Sequence, residues 1–593
     1  MFFLFYLIYI LTLYSMNPNA AQQAAGPGVR SFFQPPTANQ LAVPLSAIAT
    51  LPAIQEALMA FVPHVLSDVE IRDLRLDCQR RIRLINSLEL KRAQIGPGRD
   101  QTIEERLAYE RADLSIRYFR IFRINDLPTE ILSNIFRYYV WAVDSPQEGI
   151  LVRLHVTWVC KHWRTVAIAD STLWSAVWFR DRPPHNRSWA FLDRAGQTAI
   201  DIRINDNSSR PMTDQQMQAF MDRLIPKLPH LRMLIILLQE WEPVLTVLKK
   251  LSEASLRGIH IGLERFELHR LGKPFVWPGP AYQPTGHTRT LYPAFGGAQL
   301  PALRYISTNG VHFDWDNSVL KNLTTLDIRR IPIELSPTVE RFRQMLRDSP
   351  RLEKLSFDGA GPNTPAHYHN TQGAIHLPYL HTLVVANFTA YYAWQVFSHI
   401  DAPNVRDLTL MNFMGDYTIL YTRLTSRFPK VKIVTLYGIT CPINPESTKA
   451  FIGFLKAMPE LLYLRMASLG IDVLQTFLYD ADTLQLHPRF VGAVQEFFRM
   501  KPLQASDLPL TKEEVRFVAP KLTVLECEAM DADSLKKFVA ARIIAGAPIN
   551  KIYLVGSMPN LTRDDLEKLA SITKLHHMQP GARSPEEIAI QSS

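Results

Sequence analysis

The sequence predicts an α/β chain: a small all-α module followed by an irregular α/β solenoid. Three observations carry this. Dense helix signals stand between residues 125 and 180. Beyond them one apolar phrase returns repeatedly. The stretches between its returns read as helices, for example Val339 to Arg347 and Ser447 to Met458. At 593 residues the chain exceeds one ordinary core, because domains hold typically ~50–200 residues, whereas a solenoid can run on as one body.

The module starts with a helix signature. In Asn125-Asp126-Leu127-Pro128-Thr129-Glu130-Ile131-Leu132-Ser133-Asn134-Ile135-Phe136, Asp126 or Thr129 can cap the helix and Pro128 suits its first turn. Glu130 sits well near the positive end of the helix dipole. Leu127, Ile131, Leu132, Ile135 and Phe136 make an apolar face. A loop at 142–150 with Asp144, Pro146 and Gly149 interrupts the chain, and a second helix is expected from Ile150 to about Ala169. Upstream, residues 66–93 read as an amphipathic helix with apolar residues every three or four positions, ended by Ile95-Gly96-Pro97-Gly98. Another helix is expected from Thr102 to Tyr118.

This segment resembles the F-box family. The opening Leu127, Pro128, Glu130, Ile131, Leu132, Ile135 and Phe136 is followed by Val159, Cys160, Lys161, Trp163, Arg164, Val166 and Ala167, then by Leu173 and Trp174. The arginine-rich helix before it and Trp189-Ala190-Phe191-Leu192-Asp193-Arg194-Ala195-Gly196 after it are similar to large fungal families of such proteins. The resemblance implies binding to an SKP-type linker protein that connects to a cullin. It also implies the absence of catalytic residues: such adaptors act by proximity, bringing a client to a ubiquitin-loaded enzyme. By the same resemblance Leu127, Pro128, Leu132, Ile135 and Phe136 lie on the linker surface. Val159, Cys160, Trp163, Leu173 and Trp174 either join that surface or form the module's core.

The recurring phrase is Pro, x, apolar, x, x, apolar, x, apolar. Pro229 opens a first copy over Leu231 to Ile236. Pro350 introduces Leu352, Leu355 and Phe357, and Pro378 introduces Leu380, Leu383 and Val385. Further copies start at Pro403, Pro429, Pro459 and Pro520, with weaker ones at Pro301, near Asn322 and at Ile549. From Pro350 the prolines fall at intervals of 28, 25, 26 and 30 residues. Leucine-rich repeats have periods of ~20–29 residues, each a short strand plus a helix. The alternation that closes the phrase is that of a strand with one face in the core. Residues 190–580 therefore read as a leucine-rich-repeat-like domain, whose extended surface suits a protein ligand. Insertions at 272–299, with Phe275, Trp277 and Tyr282, and at 467–515 interrupt it. With residues 1–65 as an arm, 66–124 as a helical region and 125–180 as the F-box-like domain, the layout is complete.

Composition fits ordinary globular domains, with 47% hydrophobic and 20% charged residues. The net charge of +9 is mild for the length. It concentrates in Arg72, Arg75, Arg80, Arg81 and Arg83 and in Arg111, Arg117, Arg120 and Arg123, which read as solvated helix faces; no nucleic-acid partner is expected. Four scattered cysteines, Cys78, Cys160, Cys441 and Cys527, point to a reducing compartment, cytoplasm or nucleus. Phe2 to Tyr14 is apolar but shorter than the ~20 residues of a membrane-spanning helix. A cleaved signal, an anchor and a stretch upstream of a start at Met16 all stay open, with the last expected.

No Walker-type glycine loop and no Gly-x-Ser-x-Gly elbow is present. His367, His369, His376 and His381 match no zinc spacing and read as loop histidines. No cofactor, metal or catalytic residue is expected. The function expected is a substrate-recognition adaptor of an SCF-type cullin ubiquitin-protein ligase. The alternatives are a scaffold outside ubiquitination and an enzyme with its site in the 272–299 insertion.

Overall fold

The computed structural model describes residues 66–592, apart from 122–123, 144–145, 207–210, 273–289, 366–367, 369, 414, 441–443, 470, 480–517, 545 and 557–560. The apolar run Phe2–Tyr14, the aromatics Phe275, Trp277 and Tyr282, Asp144, Cys441, His367, His369 and most of the 467–515 insertion lie outside the described residues. The chain divides into two units. One runs to Ala176 and includes Trp189–Thr198; the other holds Val177–Ser188 and everything from Ala199 onward.

The first unit opens with helix α1 (Asp68–Ile95), started by a reciprocal Ser67–Glu70 capping box and stopped at Gly96, whose φ of 101° favours glycine. Helix α2 (Gln101–Ile121) packs on it around Cys78, Ile85, Leu107 and Leu114. Burial pushes the Cys78 thiol up to about 11, so it is an inert core residue. The arginines between the apolar positions cross-link the pair. Arg81 reaches Glu110 and Asp113 at 2.6 Å each, Arg117 reaches Asp77 at 2.9 Å, and Arg111 reaches Glu89 at 2.6 Å.

Three helices follow: α3 (Thr129–Trp141), α4 (Pro146–Trp158) and α5 (Lys161–Ala169). The expected single helix over 150–169 is in fact two. Cys160 is extended, at φ −156° and ψ 173°, and its sulfur accepts from the Trp163 N–H, capping α5. The helix before it also starts earlier than expected, at Pro146, a residue preorganised for a first turn. At the start of α3 the cap position is Pro128, with no side-chain cap bond, so the expected cap at Thr129 lies one residue inside the helix.

The second unit is built on strands that follow one another in sequence: β1 (Ala176–Phe179), β2 (Ile200–Asn205), β3 (Leu231–Leu238), β4 (Arg265–Arg270), β5 (Tyr305–Asn309), β6 (Thr325–Arg329) and β7 (Lys354–Asp358). A two-residue β8 (Ile375–His376) precedes β9 (Thr382–Ala386), and a two-residue β10 (Ile400–Asp401) precedes β11 (Asp407–Met411). Then come β12 (Ile433–Tyr437), β13 (Tyr463–Ala467), β14 (Val524–Glu528), β15 (Lys551–Val555) and β16 (Lys574–Met578). Among the described residues fourteen strands form one sheet in chain order, with β8 and β10 paired apart from it. From β2 onward neighbours are parallel, and from β3 onward the pairing runs without a register shift.

The apolar phrase marks the interior of this unit. Leu352, Leu355, Phe357, Leu380, Leu383 and Val385 are fully buried, and so are the corresponding residues after Pro403, Pro429, Pro459 and Pro520. Helix α9 (Val339–Arg347) is observed where the spacing placed it, and α12 spans Pro445–Lys456. Helix α6 (Asn186–Ala195) belongs from Trp189 onward to the first unit, and the intervening helices of the second are α7 (Asp214–Leu224), α8 (Trp241–Leu256), α10 (Ala390–Ser398) and α11 (Thr418–Leu424). After α12 come α13 (Ile471–Gln475), α14 (Ala532–Ile544), α15 (Arg563–Ile572) and α16 (Pro585–Ser592).

Two repeated devices hold the successive strands in step. In the middle of the sheet the residue just after a strand turns left-handed, as at Gly359 (φ 57°), Asn387 (φ 60°), Asn412 (φ 55°) and Gly438 (φ 57°). Its N–H then reaches the end of the next strand in the sheet, as Asn387 does to the Met411 carbonyl at 3.0 Å. A buried arginine satisfies loop carbonyls between successive strands. Arg542, fully buried on α14, donates to the carbonyls of Ala519 (3.2 Å), Leu522 (3.1 Å) and Ala547 (3.1 Å). Burial pulls its pKa down to about 10, which still leaves it charged at neutral pH. Arg542→Ala would strand these acceptors, and Arg542→Lys cannot span the same fork. Both variants are expected to lose about 2–4 kcal/mol in urea unfolding, with Arg542→Ala the worse.

Candidate functional site

Helix α3 has two apolar stripes. Leu132, Phe136 and Val140 recur at i, i+4 and i+8 and are buried. The Phe136 and Trp163 rings meet with centroids 4.8 Å apart, and the indole N–H of Trp163 donates to Asn125 Oδ1 at 2.8 Å. The Trp174 indole N–H donates to the Ala167 carbonyl at 2.8 Å; its ring meets Phe191 at 4.9 Å and lies under the Arg194 guanidinium. Arg137 clasps Asp170 with two bonds, of 2.8 and 3.2 Å, tying α3 to the end of α5. Arg153 is 6% exposed, donates to the Ala176 carbonyl at 2.9 Å and stacks on Trp141.

The ten residues singled out from the sequence therefore divide. Leu132, Phe136, Val159, Trp163, Leu173 and Trp174 are in the unit's interior. Leu127, Ile135 and Cys160 are half-buried, and Pro128 is exposed. On the outward side stand apolar residues that the sequence reading left out of the site: Ile131 (43% exposed), Tyr138 (76%), Leu151 (51%), Trp158 (59%) and Ile168 (40%). Ile131, Ile135 and Tyr138 share one stripe of α3, about 130° around the helix from the buried one.

A family model for the F-box-like domain matches residues 124–180. The chain carries an F-box-like domain. No curated protein matches the chain. F-box domains are protein-interaction modules that bind SKP-type linkers, so the outward side chains of α3 and α4 belong to a module whose family role is contact with another protein.

The sheet unit brings together one constellation that invites a catalytic reading. His269 on β4, Ser307 on β5 and Asp327 on β6 are joined in a line: His269 Nε2 lies 3.0 Å from Ser307 Oγ, which donates to Asp327 Oδ2 at 3.0 Å. A nucleophilic serine gives its proton to the imidazole, with the carboxylate behind the imidazole. Here the serine stands in the middle and its proton goes to the carboxylate. That carboxylate is in turn held by Arg329 at 2.8 and 2.6 Å. Burial first, offset by Glu267, lowers the His269 pKa. The arrangement cross-links three strands and lacks the connectivity of acyl transfer.

Among the described residues no group of three or more His, Cys, Asp or Glu is placed to hold a metal. Of the histidines weighed in the sequence, His376 pairs with Asp401 at 2.7 Å, and His381 Nδ1 faces the Asn404 carbonyl at 3.3 Å. Among the described residues no helix is long and apolar enough to cross a membrane.

Proposed function

We propose that the chain is the substrate-recognition adaptor of an SCF-type cullin ubiquitin-protein ligase. The F-box-like domain takes the SKP-type linker, and the sheet unit, read as a leucine-rich-repeat-like solenoid, takes a client protein. The observation that supports this best is the F-box match at 124–180 on a helical unit with outward apolar residues on α3 and α4. We place the linker surface on Leu127, Pro128, Ile131, Ile135 and Tyr138, extended by Leu151 and Trp158. Leu132, Phe136 and Trp163 act there as the support beneath it. Buried apolar anchors supply most of the energy of such contacts, while a rim of polar groups excludes water.

The sheet unit supports the client half of the reading by its construction. Consecutive parallel strands display their alternate side chains on one continuous face, which suits a protein better than a small molecule. No catalytic residue is assigned, and the chemistry is left to a ubiquitin-loaded enzyme brought close to the client.

Affinity capture of the full chain from a cytosolic extract tests the proposal. The SKP-type linker and a cullin are expected to co-purify. Linker without cullin would favour a scaffold outside ubiquitination, and neither protein would refute the adaptor reading.

A further inference from the structure

Helix α16 returns to the sheet far from its own place in the sequence. Gln591 Nε2 donates to Asp407 Oδ2 at 3.1 Å, 184 residues away on β11. Glu587 pairs with Arg465 on β13 at 2.8 Å. Glu586 takes both Lys551 and the Tyr553 hydroxyl on β15. Ile590 packs against the cluster of Ile433, Tyr463, Val524 and Tyr553, one from each of four adjacent strands. These partners alternate with the phrase residues Leu408, Val434, Leu464, Leu525 and Ile552, which are buried on the opposite face. The helix thus lies on the non-core face of β11 to β15, the kind of face on which repeat proteins hold ligands.

The face is prepared for what lies on it. Glu526 receives Arg465 Nε at 2.9 Å and the Tyr463 hydroxyl at 2.6 Å, and Thr435 receives a second nitrogen of Arg465 at 3.2 Å. That leaves one guanidinium nitrogen directed at Glu587. Lys551 and Tyr553 make a second carboxylate seat, and the four apolar side chains make a socket for one branched residue. The occupying helix is short, eight residues, and Ile588 is 52% exposed. Helices of that length do not hold together in water alone, so its order comes from the face.

We propose that the β11–β15 face is a recognition groove for a short helical segment with two adjacent carboxylates and a branched aliphatic residue three positions after the second. Pro585–Ser592 is the chain's own occupant, and a client segment of the same acidic–apolar chemistry displaces it. The proposal rests on the reading of the sheet unit as the client-holding part.

The probe is a fluorescein-labelled synthetic peptide of residues 582–593, titrated into the full chain and into a full-chain variant with the tail released by Glu587→Ala and Ile590→Asp. The released chain is expected to bind the peptide saturably and at least tenfold more tightly than the unaltered chain. A peptide with glutamine at both glutamate positions is expected to bind the released chain at least tenfold more weakly. Three results would each overturn the proposal. They are no saturable binding, equal binding of the acidic and amide peptides, and loss of the cooperative thermal transition in the released chain, which would make the helix a fixed cap. The assay contains neither linker nor cullin, so its failure is separable from a failure of the ligase reading.

Discussion

Ile131→Asp is expected to abolish linker capture while leaving the chain's thermal transition in place. Ile131 is 43% exposed on the outward stripe of α3, so a carboxylate there stays solvated in the free chain and costs little. Once the linker covers that stripe, the same carboxylate is buried without a partner. Interface anchors of this kind are worth about 2–4 kcal/mol when truncated, equivalent to about 30- to 1,000-fold in affinity. Trp158→Ala on α4 tests the extension of the surface and is expected to weaken capture without unfolding. Capture by the immobilised linker, scored beside a thermal melt of each variant, separates the two effects. Unchanged capture by Ile131→Asp would remove this stripe from the linker surface.

Trp163→Ala is expected to do the opposite, collapsing the module itself. Its ring is fully buried against Phe136, and its indole N–H serves Asn125. Emptying a buried tryptophan site costs about 3–5 kcal/mol, a large share of the stability of a small helical unit. Phe136→Asp belongs to the same class, because its charge would sit in the core without a partner. Trp163→Phe keeps most of the packing and loses the Asn125 bond, for about 1 kcal/mol. Circular dichroism and amide exchange over residues 124–180 would report the loss. Both Trp163→Ala and Phe136→Asp are expected to lose linker capture as a consequence, which makes either one alone a poor probe of the surface.

The repeat phrase was legible because the strand-facing residues and the period come from the same physics. Leu355 and Phe357 alternate since they point to the core side of the strand, and the proline spacing follows the spacing of successive strands in the sheet. The left-handed turn that follows β5 to β7, β9 and β11 to β15 is visible in part, at Gly359, Asn387 and Gly438, but Arg330, Ser468 and Ala529 adopt it too and carry no such signal. The break between α4 and α5 escaped notice because Val159-Cys160-Lys161 contains neither proline nor glycine; a cysteine sulfur is the cap. Which apolar stripe of α3 faces inward could not be read from α3 alone. Ile131 and Ile135 are as apolar as Leu132, Phe136 and Val140, and the packing of Trp163 on Phe136 shows which stripe is inside. The return of α16 had no local signature, since its partners lie as much as 184 residues away.

The most direct measurement is calorimetric titration of purified SKP-type linker into the purified full chain. Saturable one-to-one binding at micromolar affinity or tighter is expected, with a negative heat-capacity change from apolar burial. Absence of binding heat at several temperatures, together with separate elution of the two proteins, would contradict the assignment of residues 124–180 as a linker-binding module.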